Sequence, residues 1–284
     1  MERSKEEKNI RLALILILIN IIYATICYLF IYPNIDSDSF QQNTRYIITT
    51  DFLIAFIPLN IITAIFFLKI GKLTFSEIGL KKSGLLPAIF LIFIIWWAAQ
   101  LFYFYIDLFF QINPLIKPSW SNPIYYPYIL GEFITEFLGN SLFEEILYRG
   151  VLFSQLFLYF KSKNKFSNEE NQIVMSILIS QILFALAHIP NRFISGYYAL
   201  DEAFFGLISP LIFGVFISYV YYLTNNLYIC IGLHGIGNIS VSIFTLWFPP
   251  SQWSLLIPLF FVFFYILFNT NNQDPGLSKK INTI

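Results

Sequence analysis

Residues 129–157 read ILGEFITEFLGNSLFEEILYRGVLFSQLF. Crossing the hydrocarbon core takes about 20 apolar residues in a helix, and this run is long enough. Yet it also holds Glu132, Glu136, Glu144, Glu145 and Arg149. An ionisable group at the centre of a membrane helix costs roughly 2.5–3.5 kcal/mol on insertion scales, so such groups mark function by default and face away from lipid. The run therefore reads as a membrane helix enclosed by other helices. Glu132, Glu136, Asn140 and Glu144 recur at i+4 spacing along one slowly drifting stripe.

The rest of the chain fits that reading. Of 284 residues, 57% are hydrophobic and 12% charged, where an ordinary soluble domain carries about 25% charged residues. Apolar runs near 10–32, 47–69, 84–112, 129–157, 173–188, 204–224, 227–247 and 252–268 predict an all-α polytopic membrane protein, a bundle of about eight transmembrane helices around an intramembrane polar cavity. The fifth run is short, and the long third and fourth suggest bending or tilt. The first is too long for a signal peptide and lacks a clear small-residue cleavage site, so it is expected to be retained. The chain divides into helices 1–3 with their loops (1–128), a core (129–247), and a last helix with its tail (248–284).

With the N-terminus inside, Arg3, Lys5, Lys8, Arg11, Lys69, Lys72, Lys81, Lys82, Lys161, Lys163, Lys165, Lys279 and Lys280 fall on the cytoplasmic side, and Arg45, Lys117 and Arg192 outside. That asymmetry satisfies the positive-inside rule, with both termini cytoplasmic. The 17 basic and 17 acidic residues balance, which leaves no basic field for nucleic acid. Cys27 and Cys230 sit in apolar stretches without CxxC spacing, so no disulfide framework is expected.

Within the fourth run, Glu145 and Arg149 are one helical turn apart and are expected to pair, while Glu144 lies about 100° round the helix and is left for general-base chemistry. Glu132 and Glu136 divide evenly between gluing helices and lining a water cavity. The chain has two histidines. His188 ends Phe184-Ala-Leu-Ala-His188, and His234 opens His234-Gly-Ile-Gly-Asn238, where imidazole and amide share a helix face and can aim at one oxygen. Gly232, Gly235 and Gly237 would let a neighbouring helix or a substrate backbone approach. Gly-x-Ser-x-Gly and His-Glu-x-x-His are absent, and Ser141 and Ser240 have no histidine at an evident spacing.

Glu-Glu-x-x-x-Arg, Phe-x-x-x-His and His-x-x-x-Asn, in that order on successive membrane helices, resemble the CPBP family. That family includes the type II CAAX prenyl endopeptidases and the bacterial Abi (bacteriocin self-immunity) proteins, and the resemblance covers 129–247. It implies an intramembrane endopeptidase in which Glu144 and His188 activate water, His234 and Asn238 form the oxyanion site, and Glu145 and Arg149 support them. The implied partners are the bilayer and a membrane-embedded peptide or prenylated protein, and the implied setting is a prokaryotic plasma membrane. Zinc on Glu144, His188 and His234 is one possibility; since every group has a role without an ion, no obligatory cofactor is expected. Two other classes compete: a non-enzymatic immunity protein, for which Glu144→Ala would be silent, and a proton-coupled transporter using Glu132, Glu136, Glu144 and the histidines. No repeated or inverted halves support the transporter.

Overall fold

The computed structural model describes residues 4–110, 115–195, 199–239 and 243. They are helical, with no strand among the described residues. Seven helices carry the fold: α1 (Lys5–Asn34), α2 (Phe52–Ile70), α3 (Lys82–Phe109), α4 (126–162), α5 (Glu169–Ile194), α6 (Glu202–Thr224) and α7 (Leu227–Asn238). The expected eighth span, 252–268, and the tail lie outside the described residues.

Local chemistry fixes the ends. The Ser4 side chain accepts from Glu7 N at the start of α1, and Asn168 accepts from Asn171 N at the start of α5. Asn225 closes α6 in the left-handed region at φ 46°. Asn226 then caps α7 through Tyr228 N while its Nδ2 donates to Gly84 O of α3. The tight α6–α7 turn is thereby tied to the start of α3.

Five of these helices, α1, α2, α3, α5 and α6, are long and apolar enough to span a bilayer. The other two fail for opposite reasons: α4 carries too many charges and α7 has only 12 residues. α7 and the second half of α4 are enclosed by the rest. On α4, Phe143, Leu147, Tyr148, Val151, Leu152 and Phe153 are buried, and on α7 so is every residue from Ile229 to Ile236. α1 packs on the second half of α4, α2 on its first half, α3 on α7, and α5 on α6. Outward faces are apolar, as at Leu18 and Phe30 on α1 or Leu86, Phe90 and Phe93 on α3, the arrangement that lipid rather than water requires. The chain is an integral membrane protein.

Several boundaries differ from expectation. α5 is not short: its polar first turn, Glu169 and Glu170, hides its start in the hydropathy pattern, and it continues past Pro190 through a π-helical turn over Pro190–Ile194. α7 ends at Asn238, because Ile239 turns extended (φ −76°, ψ 119°) directly after the Gly235-Ile-Gly237 stretch, where glycines weaken the helix; the rest of the span expected to 247 lies, but for residue 243, outside the described residues. α4 extends to 126 and 162, with i→i+5 turns over Ile134–Asn140 and Ile146–Phe153 flanking the α-helical Ser141–Glu145. Such widened turns gather at functional sites because they re-aim side chains.

Candidate active site

The Ser141–Glu145 turn presents its two glutamates differently. Glu145 is fully buried, and its Oε1 accepts from Arg149 Nη1 at 2.9 Å and from His234 Nδ1 at 2.7 Å. Arg149, also fully buried, reaches past it: Nη2 donates to Gln181 Oε1 at 3.1 Å, and the guanidinium lies 4.5 Å from the Phe184 ring centroid. Gln181 Nε2 donates onward to Ser218 Oγ at 2.7 Å. One network thus joins α4, α5, α6 and α7. Gly214 makes room for it, since a Cβ there would stand 2.3 Å from Gln181 Oε1.

Glu144 faces a cavity of about 680 Å³. Its Oε1 lies 3.9 Å from His188 Nε2 and its Oε2 lies 3.4 Å from His234 Nε2, so each carboxylate oxygen meets one imidazole. The tautomers follow from the far sides of the rings. His188 Nδ1 is 2.9 Å from Phe184 O, and a carbonyl can only accept, so Nδ1 carries a proton, and in the neutral ring it is Nε2 that presents a lone pair to the cavity. His234 Nδ1 likewise donates to the Glu145 carboxylate. At 3.9 Å the Glu144–His188 gap is too long for a direct hydrogen bond and suits a bridging water.

Asn238, in the last turn of α7, also lines the cavity, and its Nδ2 donates to Glu136 Oε2 at 3.0 Å. Asn140 Nδ2 approaches the same oxygen at 3.3 Å. Of the i+4 stripe, Glu136, Asn140 and Glu144 therefore face the cavity, whereas Glu132 is not among its lining residues. All four residues expected to act together, Glu144, His188, His234 and Asn238, meet at this cavity, and Glu145 and Arg149 lie directly behind it.

Three features escaped the sequence. Gln181 and Ser218 complete the arginine network, but a glutamine and a serine on apolar helices carry no pattern that separates them from interhelical glue. Phe184 was legible only as a motif letter; its carbonyl fixes the His188 tautomer while its ring packs on Arg149. The third is the outer wall. Asn20, Tyr23, Tyr28 and Tyr32 of α1 and Asp51 before α2 line the cavity from outside the core segment, and the Tyr28 hydroxyl accepts from Asn191 Nδ2 at 2.7 Å.

Zinc ligands at about 2.0–2.1 Å in a tetrahedron stand ~3.3 Å apart; against that spacing, His234 Nε2 lies 3.4 Å and His188 Nε2 3.9 Å from a Glu144 oxygen. Among the described residues, no group of three or more histidine, cysteine, aspartate or glutamate side chains is placed to hold an ion. Cys27 and Cys230 are buried free thiols.

A polar, carboxylate- and imidazole-lined cavity inside an all-helical membrane bundle defines the class: an integral membrane protein with a polar cavity within its bundle. More particularly, residues 127–240 match the family model of the type II CAAX prenyl endopeptidase, Rce1-like. The match bears out the resemblance carried by the three motifs, and all seven motif residues fall inside it. No curated protein and no solved structure matches the chain.

Proposed function

We propose that this protein is an intramembrane endopeptidase that hydrolyses peptide bonds of a membrane-associated substrate with water activated by Glu144. The observation that carries the reading is the Glu144 carboxylate held between two imidazole Nε2 atoms, 3.9 and 3.4 Å away, in a cavity within the bundle. A water bridging Glu144 Oε1 and His188 Nε2 gives its proton to Glu144 as its oxygen attacks the amide carbonyl. The tetrahedral oxyanion then accepts from Asn238 Nδ2–H and His234 Nε2–H. Glu144 passes the proton to the departing amine nitrogen as the C–N bond breaks, leaving a carboxylic acid and an amine.

Charge balance supports His234 as a cationic donor. Glu136, Glu144 and Glu145 set three carboxylates against Arg149, and an imidazolium at His234, donating from both nitrogens, offsets part of that negative charge. Glu145 and Arg149 act as positioning groups. We place the N-terminus in the cytoplasm by the positive-inside rule, take the setting to be a prokaryotic plasma membrane, and assign no obligatory metal.

The test uses internally quenched peptides, with and without a farnesyl group, and purified protein in detergent. Wild type cleaves them, whereas Glu144→Gln, isosteric but unable to take the proton, is inactive while fully folded. Undiminished cleavage by Glu144→Gln would refute the mechanism. Stoichiometric zinc in active protein, with activity lost on chelation and restored on return of the ion, would refute the metal-free assignment.

A further inference from the structure

We infer that the cavity opens on the extracytoplasmic side of the membrane, and that its substrate is a peptide segment presented from outside, such as an exported peptide or the outer part of a membrane-spanning segment, and not the lipidated tail of a cytoplasmic protein. The side of the opening is a matter of geometry and charge; calling the occupant a substrate rests on the peptidase reading above.

Every helix that lines the cavity does so with the same half. α1 starts at the lysine-rich end and contributes only from Asn20 to Tyr32. α2 runs back toward that end and contributes Asp51 and residues no further than Leu59. α4 contributes from Thr135 to Glu144 but nothing from the half that ends near Lys161, and α5 contributes from Phe184 to Arg192. α6 lines it at Ser209, Pro210 and Phe213, and α7 from His234 onward. Because alternate helices run in opposite directions, these segments share one end of the bundle, and the cavity reaches the helix ends at Tyr32, Asp51 and Arg192.

The opposite end is sealed. Behind Glu144 come the buried Glu145, Arg149 and Gln181, then Leu147, Val151, Phe153, Phe157 and Tyr221, each buried. This sealed end also gathers the basic residues. Lys5 pairs with Glu77 and Lys8 donates to Ile70 O, which brings the start of α1 to the α2–α3 loop with Lys69, Lys72, Lys81 and Lys82. Lys161 pairs with Glu169 in the α4–α5 loop, beside Lys163 and Lys165. At the cavity end the described basic residues are Arg45, Lys117 and Arg192. Loops rich in lysine and arginine stay cytoplasmic, so the sealed end faces the cytoplasm and the cavity faces out. A prenylated protein made in the cytoplasm would meet the closed end.

The experiment has two arms in cells producing the full chain. In the first, with Cys27 and Cys230 replaced by alanine, single cysteines are introduced as Thr44→Cys in the α1–α2 loop, Ser209→Cys in the cavity wall and Lys163→Cys in the α4–α5 loop. A membrane-impermeant maleimide added to intact cells is expected to label Thr44→Cys and Ser209→Cys, and to reach Lys163→Cys only after permeabilisation. Labelling of Lys163→Cys in intact cells, or of Ser209→Cys only after permeabilisation, overturns the inference. In the second arm, an impermeant, unprenylated, internally quenched peptide library is added outside, with Glu144→Gln cells as blank. Cleavage by intact cells at the rate of permeabilised ones is expected; cleavage that requires permeabilisation overturns the inference. Cleavage equal to the Glu144→Gln blank in both preparations and in detergent sinks the peptidase reading instead, and the labelling arm still decides which side the cavity faces.

Discussion

Arg149→Ala tests the framework behind Glu144. The side chain is fully buried and holds three things at once: the Glu145 carboxylate at 2.9 Å, the Gln181 carbonyl at 3.1 Å and the Phe184 ring at 4.5 Å. Alanine leaves the Glu145 charge buried with His234 as its remaining side-chain partner. Its Oε2 already has no protein hydrogen bond. Breaking a buried ion pair from one side costs about 3–5 kcal/mol, and the space left by so large a side chain adds to that. At about 2–4 °C per kcal/mol for chains of comparable size, the unfolding midpoint should fall on the order of 10 °C. Tryptophan fluorescence during heating in detergent measures it, together with the yield of monodisperse protein. Arg149→Lys should lie between, because one ammonium cannot reproduce the fork to Glu145 and Gln181. An Arg149→Ala protein with a wild-type midpoint and yield but no activity would refute the structural role and argue for direct catalysis.

Other outcomes are as specific. Asn238→Ala should lower kcat about 10²–10³-fold with little change in KM, the loss typical of one oxyanion donor. Glu136→Leu should do much the same in the wild type, yet add almost nothing in an Asn238→Ala background, because its carboxylate orients that amide; Glu136→Gln, which keeps an acceptor oxygen, should retain most activity. Full additivity in that cycle would show that Glu136 acts elsewhere. Tyr28→Phe, which releases Asn191 from α1, should reduce activity with an unchanged unfolding midpoint; an unaltered rate would show that the turn after His188 needs no tether. Gly232→Ala would set a Cβ 2.3 Å from Ile92 Cγ1 and should lower the unfolding midpoint, with Ile92→Ala restoring part of it.

What could be read from the sequence divides by the range of the interaction. Hydropathy located the helices because burial in lipid is written into each residue separately, and it failed where polar first turns or glycines govern an end, as at Glu169 and Asn238. The Glu145–Arg149 pair was legible because both partners sit on one helix at i, i+4. Contacts between helices were not. Nothing in the spacing of Glu145 and His234, 89 residues apart, announces their 2.7 Å hydrogen bond, and nothing in Tyr28 announces Asn191.

The i+4 stripe on α4 shows how a local pattern becomes a site only through its neighbours. From sequence, Glu132, Glu136, Asn140 and Glu144 are equivalent points on one face. The surrounding helices distinguish them: Glu144 meets two imidazoles, Glu136 accepts from the amides of Asn140 and Asn238, and Glu132 stays outside the cavity. The widened turn over Ile134–Asn140 also separates Glu136 and Asn140 from the α-helical turn that carries both site glutamates. In that turn one residue of offset, from Glu144 to Glu145, decides between a carboxylate that touches the cavity and one locked behind it by Arg149 and His234. Exchanging their chemistry by Glu144→Gln or Glu145→Gln should therefore give different failures: a folded, inactive protein in the first case, and in the second a loss of folded yield, since Arg149 and His234 would share a neutral partner. Equal stability of the two variants in the same heating assay would refute that division of labour.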